Sequence, residues 1–441
     1  MSDRKSFPPI DPADLERYGK EMHALATELF PIYRGMTGAG VRETLSRLGR
    51  LVPLEVREVP SGTQVFDWQV PREWVFRDAY IREPGGAKLV DWRDSHLHLV
   101  NHSVPVDAKL PWRELKEHLI TEPEHPDWIP YRTAYFRDDW GFCLSHRQFE
   151  ELERRGADRE YEVRIDAEFV DGSLTYGELY LPGRVEEEVL LSCHICHPSL
   201  ANDNLSGIAV AIQLAQYLRS QEHHYSYRFL FIPATIGAIT WLKLNQDAVH
   251  KIRHGLILTV LGDAGTSTYK RSRRGNAEVD RAAAHVLEHS GLPHTIVDFE
   301  PVGYDERQFC SSGFNLPVGV LMRTPSGQYP EYHTSADNLE LILPESLADS
   351  WAKLAQVVQL LDGNATYVNQ YPYCEPQLGR RGAYRAYGQS DEGEDLQRAI
   401  LWVLNLSDGK HSLLDVAERS GLPFEQVRRA ADRLLVLGLL E

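Results

Sequence analysis

Four short runs, residues 189–193, 228–232, 256–261 and 318–322, are apolar at nearly every position rather than at every second one. A strand with one wet face alternates between apolar and polar residues; a strand covered on both faces does not. These runs therefore belong at the centre of a sheet with helices on either side. Stretches of helical character lie between them, at about 205–219, 238–250, 280–289 and 344–361. That alternation predicts a mostly parallel or mixed sheet in an α/β domain.

The rest of the chain reads as additions to this core. At 441 residues it exceeds one ordinary core, and the length suggests two to four domains. Near the start, Asp11 caps a helix, Pro12 suits its first turn, and Leu15, Tyr18, Met22, Leu25 and Leu29 recur at helical spacing. A second helix is expected at 41–48. From about 54 to 111 short β-type runs, including 64–68, 88–92 and 97–100, alternate with turn signals, which predicts a small β-rich insert. Residues 123–143 are dense in aromatics and prolines, as a packing segment or a pocket lining would be. Residues 162–169 and 173–181 are expected to pair antiparallel. Three short helices at 396–404, 412–419 and 423–435 give the C-terminus a winged-helix-like texture. Acidic residues outnumber basic ones there, whereas a DNA reader needs phosphate-facing Lys and Arg. A packing or protein-contact module is the expectation.

Charge and cysteines narrow the partners. A net charge of −17 repels phosphate backbones and argues against nucleic acid. No apolar run reaches the ~18 residues of a membrane span, so no membrane partner is expected. Met1-Ser2-Asp3-Arg4-Lys5 leads into prolines and carries no secretion signal. Five scattered cysteines argue against a disulfide framework and for a cytoplasmic setting.

The chemistry concentrates in Cys193-His194-Ile195-Cys196-His197, followed by Ala201-Asn202-Asp203-Asn204-Leu205-Ser206-Gly207. The cluster follows a buried run and opens a helix, where ligand sites of α/β sheets form. Two histidines and an aspartate within ten residues suit zinc, which takes imidazole nitrogen and carboxylate oxygen. An N-cap role for Asp203 or Asn204 would not explain the histidines.

This segment resembles the di-zinc aminopeptidase superfamily, which places a His at a strand end and then Asp-Asn/Asp-x-x-Ser-Gly opening a helix. The resemblance implies that Asp203 bridges the metal site and that His194 or His197 binds with it. Cys196 stands where an aspartate is usual, and is a softer alternative ligand. Tyr332-His333-Thr334-Ser335-Ala336-Asp337 resembles the last ligand motif, which makes His333 a ligand and Asp337 its orienting group. The expected Glu-Glu pair is absent: the region reads Pro233-Ala234-Thr235. Thr259 occupies the likeliest aligned place for the next ligand, and Asp263, just after Gly262, is carried as the candidate for a further metal ligand. A base must come from elsewhere, and Asp305, Glu306 and Glu331 are the candidates. Arg271, in the Lys270–Arg274 basic run, with Arg307 and Tyr332, are candidates for substrate binding; Arg323 is of the same kind.

Nearly end to end, the chain is similar to a narrower group of bacterial aminopeptidase-like proteins associated with polysaccharide or secondary-metabolite biosynthesis. The matching stretches include Tyr33-Arg34-Gly35-Met36, Val59-Pro60-Ser61-Gly62 and Tyr304-Asp305-Glu306-Arg307-Gln308-Phe309. The resemblance implies a three-layer, zinc-aminopeptidase-like α/β fold with a mixed sheet. It places the metal-binding domain at residues 1–50 and 115–375, a β-rich insert at 51–114 and a winged-helix-like domain at 385–441. The expected function is a zinc-dependent hydrolase, with one or two ions per chain, cleaving an amide bond of a small peptide or aminoacyl substrate. The alternative is a catalytically altered metal- or ligand-binding protein of a biosynthetic pathway. Either form is compatible with a homo-oligomer.

Overall fold

The computed structural model describes residues 10–155, 159–382 and 391–441; the Met1–Lys5 reading lies outside them. Eight strands form the central sheet: β1 (Glu55–Pro60), β2 (Ser173–Leu181), β3 (Glu188–His194), β4 (Ser226–Ile232), β5 (Ile252–Leu258), β6 (Ser267–Lys270), β7 (His294–Val297) and β8 (Val318–Met322). Their order is β1-β2-β4-β3-β5-β8-β6-β7. The four apolar runs are β3, β4, β5 and β8, which lie side by side and parallel at the centre. The pairings β1 with β2, β2 with β4 and β6 with β8 are antiparallel and make the sheet mixed.

Helices cover both faces, giving three layers. Val189, Leu191 and Cys193 join a core with helices Pro12–Leu29, Gly207–Arg219 and Pro344–Gly363, where Trp351 is wholly buried. Leu190 faces the opposite core, built with Ile236, Ile239 and Trp241 of helix Ile236–Leu244. The pleat sends neighbouring residues to opposite sides, so a strand between two cores needs an apolar residue at each position. Burying each such side chain stabilises the fold by roughly 1.5–3 kcal/mol.

A second, antiparallel sheet runs Lys88–Asp91, Glu73–Arg82, Glu160–Val170, Val106–Pro111. Its membership differs from the expected insert at 51–114. Glu55–Pro60 pairs into the central sheet, while Glu160–Val170, far beyond 114, completes the small one. The expected pairing of 162–169 with 173–181 does not form, because the chain changes sheet at Gly172. Glu73, held by Arg42 at 2.6 and 2.7 Å, accepts the Ser173 N–H at 3.2 Å and fixes that crossing. A side chain at 172 would strike Glu73 Oε2 at 2.4 Å, so glycine is required. Residues 97–100 are not a strand either: His96–His98 forms a 3-10 turn capped by Ser95.

The C-terminal domain has helices Asp391–Leu406, Leu413–Ser420 and Phe424–Val436, a strand pair and its own core. Its last helix packs by its first turn against the α/β domain. The Phe424 N–H donates to His285 Nε2 at 3.0 Å, and Arg428 donates to the Gly363 carbonyl at 2.7 Å. Arg281 reaches Asp415 at 2.6 Å. No helix among the described residues is long and apolar enough to cross a membrane. All five cysteines are free.

The His285 contact carries a pH dependence. Burial, then His289, pushes the His285 imidazole down to about 4. Between about 6.5 and about 4 the unfolded chain binds a proton there and the folded chain does not, so stability is lost as pH falls through that window. Relative to His285→Gln, the wild type is expected to lose about 1–2 kcal/mol from pH 7 to pH 4, after allowance for solvent screening. Denaturant melts of both proteins across that range check it; parallel curves would refute it.

Candidate metal centre

The site begins where β3 ends. His194 is the last residue of that strand, paired opposite Ile232 of β4. The chain then turns through a kinked segment, Ala201–Ser206, with non-helical backbone at Asp203 and Asn204, before helix Gly207–Arg219. The Asp203–Asn204 peptide is cis. The polar residues around Asp203 tie this segment to the loop after β5. Asn204 Nδ2 donates to the Leu258 carbonyl at 3.1 Å and Ser206 Oγ accepts from the Leu261 N–H at 2.9 Å. Asn202 Oδ1 accepts from the Gly262 N–H at 2.8 Å. A Cβ at position 207 would meet Asn204 Oδ1 at 2.4 Å and the Leu258 carbonyl at 2.5 Å, so only glycine allows the approach. The Asp-Asn-Leu-Ser-Gly pattern is thus a device that holds one carboxylate still.

Three imidazoles meet that carboxylate. His194 Nε2 lies 2.8 Å from Asp203 Oδ1. His333 Nε2 lies 3.0 Å from Asp203 Oδ2, and His197 Nε2 lies 3.9 Å from the same oxygen. Donor atoms of His194, His197 and Asp203 all fall within 4.8 Å of one another, and His333 joins them through Asp203. His194, His197 and Asp203 are buried; His333 keeps 29% of its side chain exposed, on the open side of the site. Burial drives the His197 imidazole well below its usual range, which keeps it neutral as a ligand must be. Burial opposes ionisation of Asp203, but the hydrogen bonds it makes with His194 and His333 favour the charged form, and this carboxyl stands well below the usual range.

The surroundings lock these groups in place. Asp337 accepts the Asn202 N–H at 2.6 Å and the Asp203 N–H at 3.0 Å. It therefore positions the Asp203 segment, not the His333 ring as expected. Burial pushes Asp337 up to about 8. Arg34, buried and driven down to about 10 by desolvation, donates to the His197 carbonyl at 2.9 Å. The Tyr131 N–H donates to the His333 carbonyl at 2.7 Å, which steadies a residue whose φ is +56°. Rings pack around the imidazoles: Tyr304 lies 3.9 Å from His194, Tyr332 stacks 4.0 Å from His333, and Tyr131 lies 5.2 Å from both His197 and His333.

Other candidates from the sequence lie elsewhere or are already engaged. Asp263 is not in the cluster, because Thr324 Oγ1 at 2.6 Å, the Gly265 N–H at 2.7 Å and Asn202 Nδ2 at 3.1 Å occupy its oxygens. Glu306 is buried in an ion pair with Lys270 at 2.8 Å, which withdraws it as a base. Arg271 bonds the Gly275 carbonyl and Arg274 the Asn315 carbonyl, so the basic run braces its own loops. Arg323 pairs with Asp349 at 2.6 Å. Arg307 is exposed and Glu331 half-buried. Cys196 Sγ accepts the Ala234 N–H at 3.3 Å and sits 3.5 Å from His197 Nδ1. Burial pushes its thiol up to about 12, far from the thiolate a metal binds.

Asp305 is different. It is fully buried, and its Oδ1 accepts the Thr235 N–H at 2.8 Å, on the loop after β4 where the expected glutamates are missing. Its Oδ2 has no hydrogen-bond partner among the described residues. Burial pushes this carboxyl up to about 7. Arg34, Tyr131 and Tyr304 were not singled out as site residues from the sequence. Each lies in a segment noted there, but no spacing rule marks an arginine behind a carbonyl or a tyrosine beside an imidazole.

Zinc takes imidazole nitrogen and carboxylate oxygen. Three imidazoles aimed at one ionised, immobilised carboxylate therefore fit that ion.

Comparisons with known proteins agree with this architecture. Residues 23–364 match a family described as a domain of unknown function, DUF4910, and residues 365–441 match a winged helix-turn-helix family. A Clostridium acetobutylicum protein, provisionally described as a polysaccharide biosynthesis protein with an aminopeptidase-like domain, is 48% identical over 96% of both chains. A crystal structure from the same organism, provisionally described as a peptidase, superposes with TM-score 0.91 at 47% identity, over 97% of each chain. A zinc aminopeptidase from Bacillus subtilis shares the fold at TM-score 0.58 and 13% identity, covering 78% of this chain and 94% of that one.

Proposed function

The chain belongs to the DUF4910 family of aminopeptidase-like proteins with a C-terminal winged helix, and from that premise we propose that it is a zinc-dependent hydrolase of an amide bond in a small peptide or aminoacyl substrate. One observation carries the reading. His194 and His333, 139 positions apart in sequence, place Nε2 atoms 2.8 and 3.0 Å from the two oxygens of Asp203. Asp203, His194, His197 and His333 would hold the ion. Bound there, zinc would polarise a scissile carbonyl and lower the pKa of water.

The remaining chemistry falls to the chain itself. Attack by water requires a group that takes its proton. Asp305 Oδ2 is the acceptor we assign, since it is unpartnered and its carboxyl stands near 7. The proton would then pass to the leaving amine. Tyr304, the residue before Asp305, lies against the His194 ring and brings its hydroxyl to 3.7 Å from Cys196 Sγ. Asp337 and Arg34 hold the ligand-bearing segments from behind.

Metal analysis of the purified protein tests the first half: about one zinc per chain is expected, because Ala234 and Thr235 supply no carboxylate for a second ion. Two ions per chain, or none, would overturn that count. A screen of aminoacyl and peptidyl amides tests the second half. Turnover that survives complete metal removal would end the hydrolase reading. Zinc at full occupancy with no turned-over amide would favour the alternative, a metal-binding protein that has lost catalysis with its glutamates.

The C-terminal domain is proposed as a packing module. Winged helices read DNA with the N-terminal residues of the last helix, and here that turn lies on His285 and Gly363. The full chain is expected to show no salt-dependent duplex binding in a gel-shift titration.

A further inference from the structure

We propose that the buried Lys270–Glu306 ion pair is a positioning device for the candidate metal centre: it sets Tyr304 against His194 and delivers the Asp305 carboxyl to the loop after β4. The inference rests on the hydrolase reading for what Asp305 does once placed. The pair joins the Lys270–Arg274 run to the Tyr304–Phe309 motif. Lys270 ends β6 and is 7% exposed; Glu306 opens the short helix Glu306–Phe309 and is 1% exposed. Lys270 Nζ donates to Glu306 Oε1 at 2.8 Å and also to the Val302 carbonyl. The Tyr304 N–H donates to Glu306 Oε2 at 3.1 Å. The turn is thus held on both sides of Gly303, which has φ +129°. A Cβ there would meet Glu306 Oε1 at 2.5 Å, so the close approach needs glycine.

What this turn carries gives the pair its role. Pro301, Val302 and Gly303 are exposed, so packing contributes little to fixing the turn. The next two residues reach the site. The Tyr304 ring lies 3.9 Å from that of His194, and Asp305 Oδ1 accepts the Thr235 N–H at 2.8 Å. Stability alone does not account for charges at 270 and 306. Taking two charges out of water is costly, and apolar side chains of similar volume often stabilise an interior as well or better. Apolar side chains cannot offer an acceptor to the Tyr304 N–H and a donor to the Val302 carbonyl at once. What the ion pair supplies is geometry, and a misplacement of about 1 Å can lower a rate about 10²-fold.

Two variants of the full chain separate positioning from stability. Lys270→Met/Glu306→Leu replaces the pair with apolar side chains of similar volume, so it should melt near the wild type while leaving the turn unheld. Glu306→Gln loses the charge, and with it stability, but keeps an oxygen for the Lys270 and Tyr304 donors. The first readout needs no substrate: hydrogen-exchange mass spectrometry at the peptide containing Thr235, whose N–H Asp305 protects. Asp305→Ala sets the rate without that acceptor. The double variant is expected to exchange there about 10-fold faster than the wild type, with β3 and β4 unchanged, and Glu306→Gln to stay within about twofold. The second readout uses whichever amide the screen returns. The double variant should lower kcat about 10- to 100-fold with KM within about twofold and zinc content unchanged. Wild-type protection of Thr235 in the double variant overturns the proposal, as does exchange that follows melting temperature across both variants. A double variant that does not fold also overturns it, because the pair would then hold the fold rather than the site. If no amide is turned over, the hydrolase reading falls and the exchange result alone decides the positioning role.

Discussion

Asp203→Asn should leave the protein folded and free of zinc. The change keeps the shape of the side chain but removes the charge that three imidazoles face at 2.8, 3.0 and 3.9 Å. Loss of an outer-shell partner alone typically weakens metal binding 10- to 100-fold. Removing the one anionic ligand should exceed that, with zinc affinity down by more than about 100-fold. His333→Ala, at the exposed rim, should do the same with less disturbance to folding. Competition with a chromophoric chelator measures both, and circular dichroism checks the fold. Wild-type affinity in both variants would mean that the ion, if bound, sits elsewhere.

The second large effect concerns Asp305. Asp305→Asn should retain zinc and lower kcat about 10²- to 10⁴-fold on whichever amide the screen returns, the range typical of a positioned general base. The pH profile gives the mechanistic check. Burial raises this carboxyl to about 7. A base must be deprotonated to act, so kcat/KM should rise about tenfold per pH unit below 7 and level off above it. The variant should lack that limb. Glu306→Gln provides the contrast. It breaks the Lys270 pair at 2.8 Å, so it should lower stability without erasing the pH limb. A rising limb that survives Asp305→Asn would assign the base to another group.

The same two residues show where reading from sequence stops. Asp305 and Glu306 are adjacent acids in one motif, and their order in the chain gives no reason to choose between them. Lys270, 36 positions upstream, takes one and leaves the other with an unpartnered oxygen. Asp263 follows the strand that would carry a metal ligand, yet Thr324 and Asn202 occupy its oxygens. Asp337 looked like the orienting group of His333 and instead clamps the backbone of Asn202 and Asp203. The antiparallel pair expected at 162–169 and 173–181 failed for a similar reason. Both segments are strands, but Glu73 and Arg42, about a hundred positions upstream, direct them into different sheets.

Local pattern was sufficient wherever the cause was local. Continuous apolarity dictated central strands, because both faces of β3, β4, β5 and β8 meet a core and the pleat exposes every residue to one of them. The clustering of His194, His197 and Asp203 between a strand end and a helix start marked the site, and the structure puts both histidines beside the carboxylate, His194 at 2.8 Å and His197 at 3.9 Å. His333 was legible through its resemblance to a known ligand motif and lies on Asp203; the choice of sheet for each outer strand and the partner of every buried carboxylate were decided by tertiary structure. Those outcomes depend on which side chain, often more than a hundred positions away, reaches an oxygen first, and a linear pattern holds no record of that.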